Sequence, residues 1–437
     1  MEKLAELFWG VPMMVLLLTV GVVMTVRTRF VQVRKLPAAV GQMGESLRSG
    51  DRSGFRAVCT ALAATVGTGN IAGVLGAIAL GGPGAVFWMW AAAFLGMATK
   101  YAEVVLAKRY CTRDGKGGPM YYIRLGMGEQ YRWLASVFAF FAVLASVCMG
   151  NMTQTHTIAA SLIAAMPMAE PRSVALAAGI GSAVLVGLVT VGGIKCIGRI
   201  TEKLVPLMAG LYIVSMLAVI VLRRHGLGQV LTDILVGAFS PRAVLGGGAG
   251  IGLRQAVRWG ISRGVFSNEA GMGSAPIAHA GSALGAHAQG LLGIFEVFFD
   301  TIVLCSLTAF AVLLSGVPIP YGSAAGVELA AEALSTVFGP WAPTICALIC
   351  ASLALATLIG WQMYGCRCAE YLWGPSGAGG YSVCYAFFAV LGATMELSYV
   401  WAAADVCIGL MCLPNLAALL YLRRQIQADC KTDSFAT

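Results

Sequence analysis

Charge is what this chain lacks. Lysine, arginine, aspartate and glutamate make up 11% of its 437 residues, against about 25% in a soluble domain. With 58% hydrophobic residues, that scarcity excludes a water-soluble globular fold. Histidine is scarcer still, at four residues. His156, His279 and His287 stand at no metal-ligand spacing and no His-Glu-x-x-His occurs, so a zinc centre or a zinc-dependent intramembrane enzyme finds no ligands. Cysteine is plentiful, at 13, but mostly lies in apolar runs (Cys148, Cys305, Cys346, Cys350, Cys407, Cys412), where a thiol packs as a small hydrophobe. Cys366-x-Cys368 is too short for a zinc pair. The N-terminus lacks the basic start of a signal peptide, since Glu2 and Glu6 stand there, and no small-x-small cleavage site follows. It reads as a retained helix.

Apolar runs are what the chain has in excess. Windows of about 19 residues predict an all-α polytopic membrane protein of eleven transmembrane helices: span 1 at 7–26, span 2 at 56–81, span 3 at 84–109, span 4 at 132–165, span 5 at 173–193, span 6 at 202–222, span 7 at 251–278, span 8 at 288–315, span 9 at 340–372, span 10 at 380–397 and span 11 at 399–422. Segments 227–236 and 327–337 read as surface helices. The net charge of +9 reflects orientation and not nucleic-acid binding. Arg27, Arg29, Arg34 and Lys35 follow span 1; Arg113, Lys116 and Arg124 follow span 3; Lys195, Arg199 and Lys203 follow span 5; Arg423 and Arg424 follow span 11. By the positive-inside rule these loops are cytoplasmic, placing the N-terminus outside and the C-terminus inside. Arg223-Arg224 is a local exception.

Spans 2 and 7 are interrupted. Span 2 contains Gly67-Thr68-Gly69-Asn70, with its break near 66–70, and span 7 contains Gly264 to Gly273, with its break near 264–271. Irregular backbone at bilayer depth is tolerated only where it is buried or lines a cavity. With span 1 (1–26) and the basic loop (27–55) set aside, spans 2–6 (56–222) and 7–11 (251–424) each open on a broken helix and enter from opposite sides; a connector (223–250) and a cytoplasmic tail (425–437) complete the chain. Five plus five with opposite topology is an inverted repeat of the leucine-transporter type, with its substrate site between the two breaks.

At the first break, glycine leaves helical geometry cheaply. The freed N–H groups from Asn70 onward start an outer half-helix whose dipole suits a carboxylate. The carbonyls from Ala64 through Thr65 to Gly67 suit a sodium ion or an ammonium. Gly67-x-Gly69-x-x-x-Gly73 looks like a dinucleotide fingerprint, but no strand precedes it and no acidic residue follows at the required distance. Gly73 and Gly76 fit close helix packing, which leaves Thr68 and Asn70 unexplained.

At the second break, the carbonyls around Gly264 to Ser267 suit an α-ammonium, and Phe266 can cap a small side chain. Glu269 is open to two readings, a functional intramembrane carboxylate or a partner for Arg263. The Gly246–Gly252 run reads as a flexible joint. Span 4 offers Asn151, as polar glue or ligand, and Gln154, as a partner for a ligand carboxylate. On span 9, Thr357 and Trp361 share a face, as an ion ligand and pocket wall or as ordinary packing. Lys100 and Glu103 are expected near the cytoplasmic end, snorkelling or paired. Glu296 and Asp300 share a face of span 8, as a structural network or a proton relay.

The stretches Val66 to Gly73, Gly81-Gly82-Pro83-Gly84-Ala85, Met97 to Glu103, Gly264 to His279, Gly150-Asn151-Met152 and Gly360-Trp361 together resemble the alanine or glycine:cation symporter family over nearly the whole chain. The resemblance implies sodium-driven uptake of alanine or glycine, no cofactor beyond Na+ as coupling ion, and the leucine-transporter-type fold with one added N-terminal helix in the cytoplasmic (inner) membrane. By motif position it places Gly69, Asn70, Gln154, Phe266, Thr357 and Trp361 on the substrate, with Thr357 also near the ion. Sodium sites of this fold commonly use adjacent Ser-Thr hydroxyls on the helix corresponding to span 9. Here Ala356 precedes Thr357, which leaves Ser352 or backbone carbonyls to compensate.

Overall fold

The structure, a computed structural model, describes residues 10–48, 52–240, 243–244, 250–323, 325–395 and 398–432. The first residues of span 1 (7–9) and positions 246–249 of the expected glycine joint lie outside the described residues. Apart from a two-residue antiparallel pair, Ala243–Val244 with Gly250–Ile251, the regular structure of the described residues is helical.

Among the described residues, six helices are long and apolar enough to cross a membrane, seven if the bent pair Ser53–Thr65 and Thr68–Gly81 counts as one. The expected eleven spans include segments that length and composition alone do not qualify. Val11–Arg27, span 1, has 17 residues. Gly84–Arg109, span 3, carries Lys100 and Glu103 in its middle. Leu253–Asn268, span 7, carries Arg254, Arg258 and Arg263. Spans 9 and 10 run together as Ala342–Thr394, bent where Gly374 takes φ 74° ahead of Pro375; the ring removes a backbone donor and clashes with the preceding turn. Both expected surface helices form, as Leu227–Phe239 and Val327–Phe338.

Loop contacts sort the span ends onto two faces. On one face, Arg52 and Arg56 grip Glu202 at 2.7 Å each. There too the Ala283 N–H donates to Ser53 Oγ at 3.0 Å, Lys108 donates to the Ser282 and Ala280 carbonyls, and Lys116 pairs with Glu370 at 2.8 Å. On the other, the Gly322 N–H donates to the Ala79 carbonyl, Trp88 Nε1 to the Ala238 carbonyl, and Arg223 to the Thr336 carbonyl. Span 2 thus starts beside the end of span 7. Its own end, Gly81, lies against Gln255 and Trp259 near the start of span 7. The two broken spans are antiparallel neighbours.

Spans 4 and 8 each widen midway into a π-helical turn, at Cys148–Met152 and Phe298–Cys305. Such turns interrupt an α-helix as a single widened turn and recur at functional sites. Here they carry Gly150, Asn151, Asp300 and Thr301 to the level of the breaks. Span 9 approaches span 2 through Gly360, where an added Cβ would lie 2.7 Å from the Ala64 backbone nitrogen.

Candidate functional site

Span 2 leaves the helix after Thr65. Gly67 is extended (φ −135°, ψ −159°), Thr68–Asn70 form a 3-10 turn, and the chain bends by 59° before Ala72–Gly81. The outer helix therefore starts two residues beyond Asn70. Its first N–H groups have no intrahelical acceptor, as at any helix start; Leu75 N–H bonds the Ile71 carbonyl at 3.0 Å.

Asn70 holds this geometry. Its Oδ1 accepts the Gly67 N–H (2.9 Å), its Nδ2 donates to Asp300 Oδ1 (2.7 Å), and its carbonyl accepts from Thr308 Oγ1 (2.8 Å). Asp300 Oδ2 accepts from Ser267 Oγ and from Thr301 Oγ1, at 2.8 Å each. One buried carboxylate of span 8 thus clamps the broken segments of both span 2 and span 7. The side chains of Asn70 and Ser267 are engaged by protein, so their remaining chemistry is that of the backbone around them.

Span 7 breaks later than expected. Its helix runs through Asn268, Glu269 takes the left-handed conformation (φ 55°), and the irregular stretch reaches to Pro276. The carbonyls without an intrahelical donor are those of Phe266, Ser267 and Asn268, because the Glu269 N–H already bonds the Val265 carbonyl at 2.9 Å. Gly264 is instead a packing residue inside the helix, where an added Cβ would meet Met89 Cα at 3.2 Å. Glu269 does not pair with Arg263. It accepts from Trp361 Nε1 (2.9 Å) and Ser274 Oγ (2.5 Å), while Arg263 lies over the Trp259 and Phe266 rings.

The remaining candidates gather around the gap. Thr68 Oγ1 donates to Gln154 Oε1 at 3.2 Å. Gly69 faces the Phe266 ring, 3.6 Å from where a Cβ would stand. Trp361 is fully buried, with its Cβ pressed against Gly150. Gly67 touches Thr357 so closely that an added Cβ would lie 2.4 Å from Thr357 Oγ1. Thr65 spends its hydroxyl on the Ala61 carbonyl of its own helix (3.1 Å). Ser352 is not brought to this place. It lies about 140° around the helix from Thr357 and donates to the Ile349 carbonyl. Gly73 and Gly76 do not mediate close packing: among the described residues nothing lies within 4 Å of a Cβ at Gly73, and only the Ala325 carbonyl, at 3.7 Å, near one at Gly76. Ala72, at the start of the same half-helix, lines a cleft of about 310 Å³ together with His156, Glu328 and Trp401. Trp401 also faces Phe266, at a ring separation of 6.1 Å.

Sequence reasoning missed the clamp. Asp300 stood out as an intramembrane charge, but its pairing with Asn70 and Ser267 joins residues 230 and 33 positions apart. Thr308 and Tyr385 carried no signal, being ordinary residues of apolar runs; Tyr385 donates to the Gly150 and Leu358 carbonyls.

The sequence that forms this assembly matches known proteins over its whole length. Residues 1–434 fit the model of the sodium:alanine symporter family. The chain belongs to that family. Among its relatives, the sodium/alanine symporter AgcS of Methanococcus maripaludis is 40% identical over 97% of this chain and 94% of its own length. The amino-acid carrier protein AlsT of Bacillus subtilis is 36% identical over 93% and 86%. Among solved structures, a manganese transporter of Eremococcus coleocola superposes with a TM-score of 0.56 at 11% identity, covering 85% of this chain and 76% of that one. At that identity the likeness speaks for the fold alone. Membership in the sodium:alanine symporter family makes the chain a multi-pass membrane transporter for amino-acid symport and not an enzyme.

Proposed function

We propose that this protein imports a small neutral amino acid, alanine or glycine, together with sodium, by alternating access across the cytoplasmic membrane. The reading includes eleven spans with the N-terminus outside, and an inverted repeat of spans 2–6 and 7–11 behind an added first span. The observation that carries it is the meeting of two antiparallel broken helices under one buried clamp, Asp300 on Asn70 and Ser267. The substrate carboxylate faces the Thr68–Gly69 backbone and the start of the outer half of span 2, where N–H groups and the helix dipole favour an anion. The ammonium faces the Phe266–Asn268 carbonyls. Phe266 and Trp361 limit the side chain. Sodium sits beside Gly67 and Thr357, where the span 9 hydroxyl donates its proton to the Leu353 carbonyl (3.1 Å) and keeps its lone pairs for the ion, without a neighbouring serine. Bound together, ion and substrate neutralise opposed half-helix ends and favour the closed state, and the sodium gradient then drives uptake.

Labelled alanine uptake into proteoliposomes tests this. A sodium gradient should drive accumulation that a matching potassium gradient does not; equal uptake in both would remove sodium coupling. Thr357→Ala is expected to raise the sodium concentration for half-maximal uptake about tenfold, the equivalent of ~1.4 kcal/mol, with little change in alanine dependence at saturating sodium. Phe266→Ala is expected to admit larger side chains, so that unlabelled leucine, inert against the parent, competes with alanine.

A further inference from the structure

Beyond the clamp, a second polar cluster lies on the other side of the span 7 break. Lys100 of span 3 donates to Glu296 Oε1 at 3.1 Å, and His279 Nε2 meets Glu296 Oε2 at 3.0 Å; all three are fully buried. Of the two expected readings, pairing therefore holds for Lys100, and buried as they are neither Lys100 nor Glu103 snorkels. One turn along span 3, Glu103 Oε1 accepts the Gly273 N–H (3.1 Å) and Asn415 Nδ2 (2.5 Å). Glu103 Oε2 is buried with no hydrogen-bond partner. Every other carboxylate here has a donor on both oxygens: Glu269 from Trp361 and Ser274, Asp300 from Asn70, Ser267 and Thr301.

The charges do not balance. Glu296 takes up the single charge of Lys100, leaving Glu103 and Glu269 without a cation in hydrogen-bond contact. From span 9 the Tyr364 hydroxyl is also buried and unpartnered. Tyr122, which bonds Asn415, and Cys412 of span 11 lie near Glu103 without bringing positive charge, and Lys100, three residues back on span 3, is the cation that reaches it through space. An ionised carboxylate with a bare oxygen in such a place carries a large desolvation cost. A hard metal cation needs six or so oxygens, and the others here already accept bonds. A proton needs one.

We propose that Glu103 is a proton-binding site, holding a proton on Oε2 at neutral pH while Glu269 remains a hydrogen-bonded carboxylate. Binding forms one O–H bond with a proton taken from water, and release leaves a negative charge beside the loop from Gly271 to Ser274. That loop ends the broken segment of span 7, so release strengthens the bonds that Glu103 Oε1 accepts from Gly273 and Asn415 and ties the break more firmly to span 3.

Infrared spectra of the full chain in liposomes test this without reference to sodium or to the transported amino acid. The parent should show the carbonyl stretch of a neutral carboxyl at neutral pH. Glu103→Gln should lose it, and Glu269→Gln should keep it. Should Glu103→Gln fail to fold, Glu103→Asp is expected to shift the band. No such band in the parent would overturn the proposal, as would a band lost in Glu269→Gln but not in Glu103→Gln, or one unmoved in Glu103→Asp. Alanine counterflow by the parent should fall at alkaline pH as Glu103 releases its proton, and Glu103→Gln, which mimics the protonated group, should remove that fall; an unaltered alkaline fall would count against the site.

Discussion

Asn70→Ala is expected to reduce sodium-driven alanine uptake by more than about a hundredfold, the largest effect of any single change at the site. The side chain does three things at once. It accepts the Gly67 N–H, satisfies one oxygen of Asp300, and thereby holds span 2 against span 8. Truncation strands a buried backbone donor and a buried carboxylate oxygen, each at a cost of about 1–3 kcal/mol and more for the charged group. The carboxylate then loses its hold on the first break while keeping Ser267 of the second. Asn70→Asp should fare no better, because it sets a second carboxylate against Asp300. Initial uptake rates in proteoliposomes, with thermal unfolding in detergent to separate lost folding from lost transport, measure the effect. Uptake near the parent rate in Asn70→Ala would mean that the clamp is not what shapes the site.

Gly360→Ala is the second. Its new methyl carbon would lie 2.7 Å from the Ala64 nitrogen and 2.9 Å from Ala64 Cα, and backbone cannot swing aside as a side chain can. Overpacking of this sort costs about 1–3 kcal/mol. Here the displaced segment is the last turn before the span 2 break, three residues ahead of Gly67, so the Gly67–Thr357 contact moves with it. A lower unfolding temperature together with loss of sodium-dependent uptake is the expected outcome. Gly73→Ala is the contrast. It adds a methyl where nothing lies within 4 Å, and replacing a helical glycine should stabilise by up to ~1 kcal/mol. If Gly360→Ala and Gly73→Ala behaved alike, glycine at 360 would not be serving the close approach of spans 2 and 9.

Most of the residues that gather at the two breaks were legible in the sequence because they are anomalies there. Glycines beside Thr68, Asn70 and Ser267 stand out in apolar runs, and the structure brings Thr68 to Gln154, Gly69 to Phe266 and Gly67 to Thr357. Three things were not legible, each for a physical reason. The end of the span 7 helix depends on Glu269 adopting a left-handed conformation, which a non-glycine residue does only when its surroundings compel it; the glycines at 264 and 271 pointed to an earlier break. Small residues were read as helix-packing sites at Gly73, but that role belongs to Gly360 and Gly150, which sequence spacing does not distinguish. The fates of Lys100, Glu103, Glu296 and Asp300 depend on partners far along the chain. Pairing distributes them into three groups, Lys100 with Glu296, Glu103 with Asn415 and Asp300 with Asn70, and spacing along one helix face could not separate Glu296 from Asp300.

Calorimetric titration of alanine into the purified protein, in sodium and then in choline, tests the central claim most directly, because it reads the joint site of ion and substrate without a gradient. The account predicts saturable binding in sodium and none in choline, with Thr357→Ala regaining binding only at raised sodium. Equal affinity for alanine in choline and in sodium would contradict it.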